Sequence, residues 1–138
     1  MNVGPTGRGY FDYRAENALK AFGEWMKYNS RSIYGCTMAE PEFISPRGCR
    51  LTQSQDGKRL YIHLVEYPLG FVEMKNLDGK VEYAQFLHDY SQIETVSFGS
   101  KNGAHADLVL AMRENSLAFK VPAVKPNMIT PVIEVILK

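Results

Sequence analysis

Cysteine is scarce in this chain: of 138 residues only Cys36 and Cys49 are cysteines. Two thiols are too few for a disulfide framework, and sequence cannot place their Cα atoms within bridging distance. The plain reading is two small, partly buried thiols. Histidine is nearly as rare, at three residues, and neither H-x-x-x-H nor C-x-x-C spacing occurs. A zinc site wants three or four N, S or O ligands in a tetrahedral set, so no metal and no cofactor is expected. Charge of one sign is also missing. Sixteen basic residues face fifteen acidic ones, for a net charge of +1, which removes the electrostatic case for nucleic acid or an anionic membrane. No uninterrupted apolar stretch approaches the roughly 20 residues of a membrane span, and residues 1–9 lack the apolar core of a signal peptide. Gly4, Gly7 and Gly9 precede a helical segment without G-x-G-x-x-G spacing or the lysine of a P-loop, so they read as a flexible loop. There is no internal repeat and no low-complexity tract.

What the chain does hold is an ordinary apolar fraction, 45%, in two different periods. From about Phe11 to Tyr28 the period is helical. Ala15, Leu19, Phe22 and Met26 fall at i, i+4, i+7 and i+11, with Ala18 and Trp25 beside them. Asp12 is the predicted N-cap, and Asn29-Ser30 ends the helix. Gly23 costs about 1 kcal/mol relative to alanine in a helix interior, which predicts close approach of another element there. A single amphipathic helix cannot hide its stripe alone, so Leu19, Phe22 and Met26 should dock on the rest of the chain or on a second copy. Residues 35–48, with Gly35, Pro41, Pro46 and Gly48 and no sustained period, read as a connector.

From Cys49 onward the period is two. Cys49, Leu51 and Gln53 share one face, and Asp56-Gly57 predicts a type I′ hairpin turn. Arg59 to Glu66 puts Leu60, Ile62 and Leu64 on one face and Tyr61, His63 and Val65 on the other. Further strands are expected at Phe71 to Met74, Val81 to His88, Ile93 to Phe98, Asp107 to Met112, Leu117 to Val121 and Pro131 to Leu137, with turns at Asp78-Gly79, Lys101-Asn102-Gly103 and Glu114-Asn115. Some eight short runs with turn signals between them predict a mainly β fold, an antiparallel β-sandwich preceded by one amphipathic α-helix.

Candidate chemistry is sparse. Glu66, Glu73, Glu82, Glu94 and Asp107 read as solvent-facing or strand-end carboxylates, with nothing to mark a pair. His63, His88 and His105 read as surface or half-buried imidazoles. Among the aromatics, Trp25, Tyr61, Tyr67, Phe71, Tyr83 and Tyr90 include flat rings of the kind that stack on the apolar face of a sugar. Tyr61 and His63 share a strand face, and if that face is open to solvent they are the best candidates for a carbohydrate contact. The alternative for all of these rings is sheet and helix core.

The first 35 residues carry three distinctive strings: Asn2-Val3-Gly4-Pro5-Thr6, Gly23-Glu24-Trp25-Met26 within the helix, and Ile33-Tyr34-Gly35 after it. Together they resemble the end of the catalytic barrel of the α-L-fucosidase family, which are retaining glycoside hydrolases. The strands around Leu51-Thr52-Gln53 and Leu60-Tyr61-Ile62-His63-Leu64 match the layout of that family's C-terminal β-sandwich. The loop Gly7-Arg8-Gly9-Tyr10-Phe11 departs from the Asp-Gly turn and Ile-Pro helix entry usual in the family. The resemblance implies that residues 1–35 are the last loop and helix of a truncated (β/α) barrel and residues 36–138 the C-terminal sandwich. It implies a parent that is secreted, periplasmic or lysosomal and that hydrolyses terminal α-L-fucosyl residues. Retaining glycosidases need two carboxylates about 5 Å apart. In the family both lie upstream of the matched region, so no catalytic residue is expected here, and the missing barrel is the expected partner. Asn2, at the barrel rim, would line the sugar pocket of the intact enzyme. The alternatives are a free carbohydrate-binding module, and a non-catalytic interaction domain forming a homodimer through the helix stripe.

Overall fold

The structure, a computed structural model, describes residues 4–97 and 115–138. Helix α1 runs Tyr13–Asn29, and the Asp12 side chain accepts the Arg14 backbone N–H at 2.9 Å. That bond satisfies one of the free donors of the first turn. A single 3₁₀ turn, Ser30–Ser32, follows. Among the described residues, eight strands make two antiparallel sheets: β1 (Cys36–Met38), β2 (Cys49–Ser54), β3 (Arg59–Leu64), β4 (Phe71–Lys75), β5 (Val81–Phe86), β6 (Thr95–Ser97), β7 (Ser116–Lys120) and β8 (Val132–Leu137). The larger sheet has the order β1-β2-β3-β8-β5 and the smaller β4-β7-β6. The expected strand Asp107 to Met112 and the turn at Lys101-Asn102-Gly103 lie outside the described residues.

Alternation decides which side chains enter the core. Leu60, Ile62 and Leu64 of β3, Ile133 and Val135 of β8, and Ala84 and Phe86 of β5 point inward. They meet Val72 and Met74 of β4 and Leu117 and Phe119 of β7 across the gap between sheets. One local expectation changes. Asp56-Gly57 does not form a type I′ turn, because Gly57 (φ +73°) is the only left-handed residue in the loop. Its N–H bonds the Ser54 carbonyl at 2.9 Å, while the Asp56 carboxylate accepts the Lys58 N–H at 3.0 Å. The loop thus closes as a four-residue turn with one left-handed glycine. The Asp78-Gly79 turn forms as expected, without joining a hairpin. It carries the chain from β4 in one sheet to β5 in the other.

The connector read at 35–48 contributes the edge strand β1, paired with β2 as Cys36↔Ser54, Thr37↔Gln53 and Met38↔Thr52. β1 lies inside the Gly- and Pro-bearing stretch 35–48, whose lack of a sustained period is why sequence alone misses it. Cys36 therefore lies beside one end of β2 and Cys49 begins the other. Five residues of strand separate those ends by roughly 17 Å, far beyond bridging distance, and both thiols are free.

Candidate functional site

The outer face of the larger sheet carries Thr52 on β2, Arg59, Tyr61 and His63 on β3, Val132 and Glu134 on β8, and Gln85 on β5. Alternation forces this, since their neighbours fill the core. The face is not open to water. The end of α1 and the 3₁₀ turn lie over it, so that β3 is covered on both sides and five of its six residues are buried.

Glu134 is the one buried acid among the described residues, 1% exposed. Its Oε1 accepts from Arg31 Nη2 at 2.8 Å and from the Tyr61 hydroxyl at 3.3 Å, and its Oε2 accepts from Gln85 Nε2 at 2.7 Å. Arg59 Nε lies 3.5 Å away without a hydrogen bond. Burial is the largest influence on Arg31 and opposes its charge, but the Glu134 carboxylate together with Tyr61 and Tyr90 outweighs it and holds the guanidinium above its ordinary range. Burial, and then the same carboxylate, push the Tyr61 phenol up to about 12, so it stays protonated and donates. Every oxygen of Glu134 is thus engaged by its own chain, an arrangement suited to fixing the helix end on the sheet rather than to proton transfer.

Beside this cluster, Trp25 stacks on His63 with ring centroids 6.1 Å apart, and the indole N–H donates to the Thr130 carbonyl at 2.8 Å. The Thr52 hydroxyl donates to the Ser32 carbonyl at 2.6 Å, so it accepts from His63 Nε2 at 3.0 Å. Burial lowers the His63 pKa and keeps the ring neutral. Asn29, fully buried, caps the contact by bonding the Trp25 carbonyl at 3.1 Å.

These positions answer the sequence expectations one by one. Tyr61 and His63 do share the outer face, but that face is covered rather than open: they are 2% and 7% exposed, and the Tyr61 hydroxyl and His63 Nε2 bond to Glu134 and Thr52. Asn2, His105 and Asp107 lie outside the described residues. Glu66, Glu82 and Glu94 are exposed and Glu73 half-buried, with Glu94 paired to Lys120 at 3.0 Å. Trp25 is packed, whereas Tyr90 and Phe71 are exposed. The loop of Gly4, Gly7 and Gly9 bonds in part to itself, Thr6 N–H to the Tyr10 carbonyl and Gly9 N–H to the Thr6 carbonyl. Sequence reasoning overlooked Glu134. The signal was present: its same-face neighbours on β8, Val132 and Ile136, are apolar, so that face is covered.

The other half of the helix stripe is less well served. Phe22 is 49% exposed, and Leu19 and Met26 are only half-buried. Phe22 borders an apolar groove of about 580 Å³ with Ala18, Trp25, Ile33 and Ile129. The close neighbour expected at Gly23 is missing among the described residues, since a Cβ there would meet nothing within 4 Å.

No protein-family model matches the chain, and no curated protein sequence is similar to it. Solved structures are. The α-L-fucosidase isoenzyme 1 of Paenibacillus thiaminolyticus superposes with a TM-score of 0.78 at 29% identity, over 99% of this chain and 30% of that one. The chain is related to the C-terminal part of the α-L-fucosidases. A GH29 α-L-fucosidase of Bacteroides thetaiotaomicron (TM-score 0.78, 22% identity, 99% of this chain and 27% of that one) shares the fold. So does the α-fucosidase of Thermotoga maritima (TM-score 0.70, 19% identity, 98% and 29%). The chain spans about 30% of the length of the fucosidases it matches.

Proposed function

We propose that this chain is the C-terminal accessory unit of an α-L-fucosidase, with residues 1–35 forming the last loop and helix of a catalytic barrel and residues 36–138 the sandwich that buttresses it. The intact parent hydrolyses terminal α-L-fucosyl residues from glycans, and the two carboxylates of that reaction belong to the barrel. The observation that carries the reading is the fucosidase likeness over 99% of this chain and 30% of the longer one. The half-covered stripe of α1 supports it, because Leu19, Phe22 and Met26 offer the kind of apolar face that a barrel helix or strand end would bury. Glu134 supports the absence of catalysis here: the one buried carboxylate among the described residues is locked by three donors of its own chain. Purified residues 1–138 should therefore release no nitrophenol from a chromogenic α-L-fucoside. Turnover above buffer that persists through repurification would overturn the reading.

The exposure of Phe22 also favours a second reading, a non-catalytic domain that pairs with its own copy through the helix.

A further inference from the structure

A hollow lies between α1 and the loop that leads into β8, and both of its walls are held by bonds elsewhere in the chain. Ala21, Glu24, Trp25 and Tyr28 stand at i, i+3, i+4 and i+7, and so share one side of the helix. Opposite them are Asn127, Met128 and Ile129. The space between is about 250 Å³, below the range of drug-sized pockets and enough for one small ring. On the helix side the indole N–H donates to the Thr130 carbonyl at 2.8 Å, and the Asn29 amide reaches Met128 Sδ at 3.5 Å. On the loop side Lys125 Nζ donates to the Ile129 carbonyl at 2.9 Å, and Pro122, Pro126 and Pro131 stiffen the backbone. Walls fixed in this way need little ordering when a ligand enters.

The lining is mixed. Trp25, Met128 and Ile129 supply apolar surface, and the small side chain of Ala21 leaves the space open. Tyr28 is 52% exposed, and neither its hydroxyl nor the Asn127 amide is hydrogen-bonded among the described residues. Glu24 Oε1 accepts from Lys27 Nζ at 2.5 Å, which leaves Oε2 free and the pair without net charge. This chemistry selects its occupant. A hydrocarbon would strip water from Glu24 and Asn127 and give them nothing in return. An anion meets the Glu24 carboxylate, and a cation meets Lys27 beside it. A neutral ring with one apolar face and a rim of hydroxyls matches both halves of the lining: the face lies on aromatic and aliphatic surface, and the hydroxyls bond Glu24, Asn127 and the Tyr28 phenol. We propose that this hollow is a binding site for a single neutral sugar residue of a glycan. The inference rests on the hollow alone. Fucoside turnover tests the function proposed above and sugar binding tests this site, so either can fail without the other.

One ring in a shallow site binds weakly, with a dissociation constant on the order of 1 mM, so the test is an amide chemical-shift titration of residues 1–138. The probes are the methyl glycosides of D-glucose, D-galactose and L-fucose, with choline chloride and sodium acetate as the charged comparisons. At least one glycoside should give saturable shifts centred on residues 21–28 and 127–129, while choline and acetate leave those amides unmoved. Tyr28→Ala should abolish saturation, and Asn127→Ala should weaken binding about threefold to tenfold, the loss of one hydrogen bond. Both side chains are exposed, so the variants keep the fold, which unchanged β3 and β8 amide shifts would verify. No saturable shift with any of the three glycosides overturns the proposal. So does saturation that survives Tyr28→Ala, or choline or acetate filling the hollow in place of the sugar.

Discussion

At the scale of single residues, Glu134 and its donors dominate. Removing the charge of Arg31 leaves a carboxylate that is 1% exposed with only Tyr61, Gln85 and the poorly aimed Arg59 to stabilise it. Because Arg31 itself is half exposed, the cost is smaller than for a fully buried pair, and Arg31→Met should destabilise by about 2 kcal/mol. Glu134→Gln keeps the shape and carries no charge that needs a partner, so the double variant should recover part of that loss in a urea titration. A double variant no more stable than Arg31→Met alone would mean the charge is not what Arg31 satisfies. Tyr61 gives a second test. Its native pKa, about 12, lies above the unfolded value of about 10. Its contribution is therefore complete below pH 10 and fades as pH rises toward 12. The fall in stability across that interval should be shallower in Tyr61→Phe than in wild type, as read from denaturant midpoints at each pH.

At the scale of elements, the strongest constraint falls where the connector enters β2. Gly48 adopts φ +74°, and a Cβ there would sit 2.8 Å from the Glu66 Cβ. Its carbonyl also accepts the Glu66 N–H at 2.9 Å, so the two chain segments cannot separate to make room. Gly48→Ala should cost about 1–3 kcal/mol, seen as a lower thermal midpoint with unchanged strand content. Helix α1 and most of the strands were readable because each repeats its period over several residues or ends in a recognisable cap; β6, of three residues, was read as part of the longer run Ile93 to Phe98. Asp12 is the plainest case: a side chain that can accept a bond, placed one residue before the periodic run. β1, equally short, was not readable, since it stands between Gly35 and Pro41 with no longer run around it. The Asp56-Gly57 turn was half readable. Glycine supplied the left-handed residue, but the Asp56 carboxylate bound the next turn of backbone and set a different geometry.

At the scale of the whole molecule, the helix is attached by a handful of polar bonds and one stacked ring, while part of its apolar stripe remains in water. A chain with such a face has reason to associate. Leu19→Asp should keep the chain folded, because Leu19 is only half-buried. If two copies pair through the stripe, the wild type sediments as a dimer and Leu19→Asp as a monomer. A wild type that stays monomeric at high concentration removes the self-pairing reading and leaves the barrel as the partner for this face.

Taken alone, the residues of this chain determined its local elements, because periods of 3.6 and 2, caps and turn glycines act over a few neighbours. They also determined that Leu60, Ile62 and Leu64 would face away from Tyr61 and His63. Only the tertiary structure decided which of those faces would be dry. The bonds that settle it join Trp25 to Thr130 and Arg31 to Glu134, about a hundred residues apart, and the return of the helix across the sheet turns an outward strand face into a second, polar interior. No local pattern encodes that return, since it is fixed by where the last strand inserts between β3 and β5.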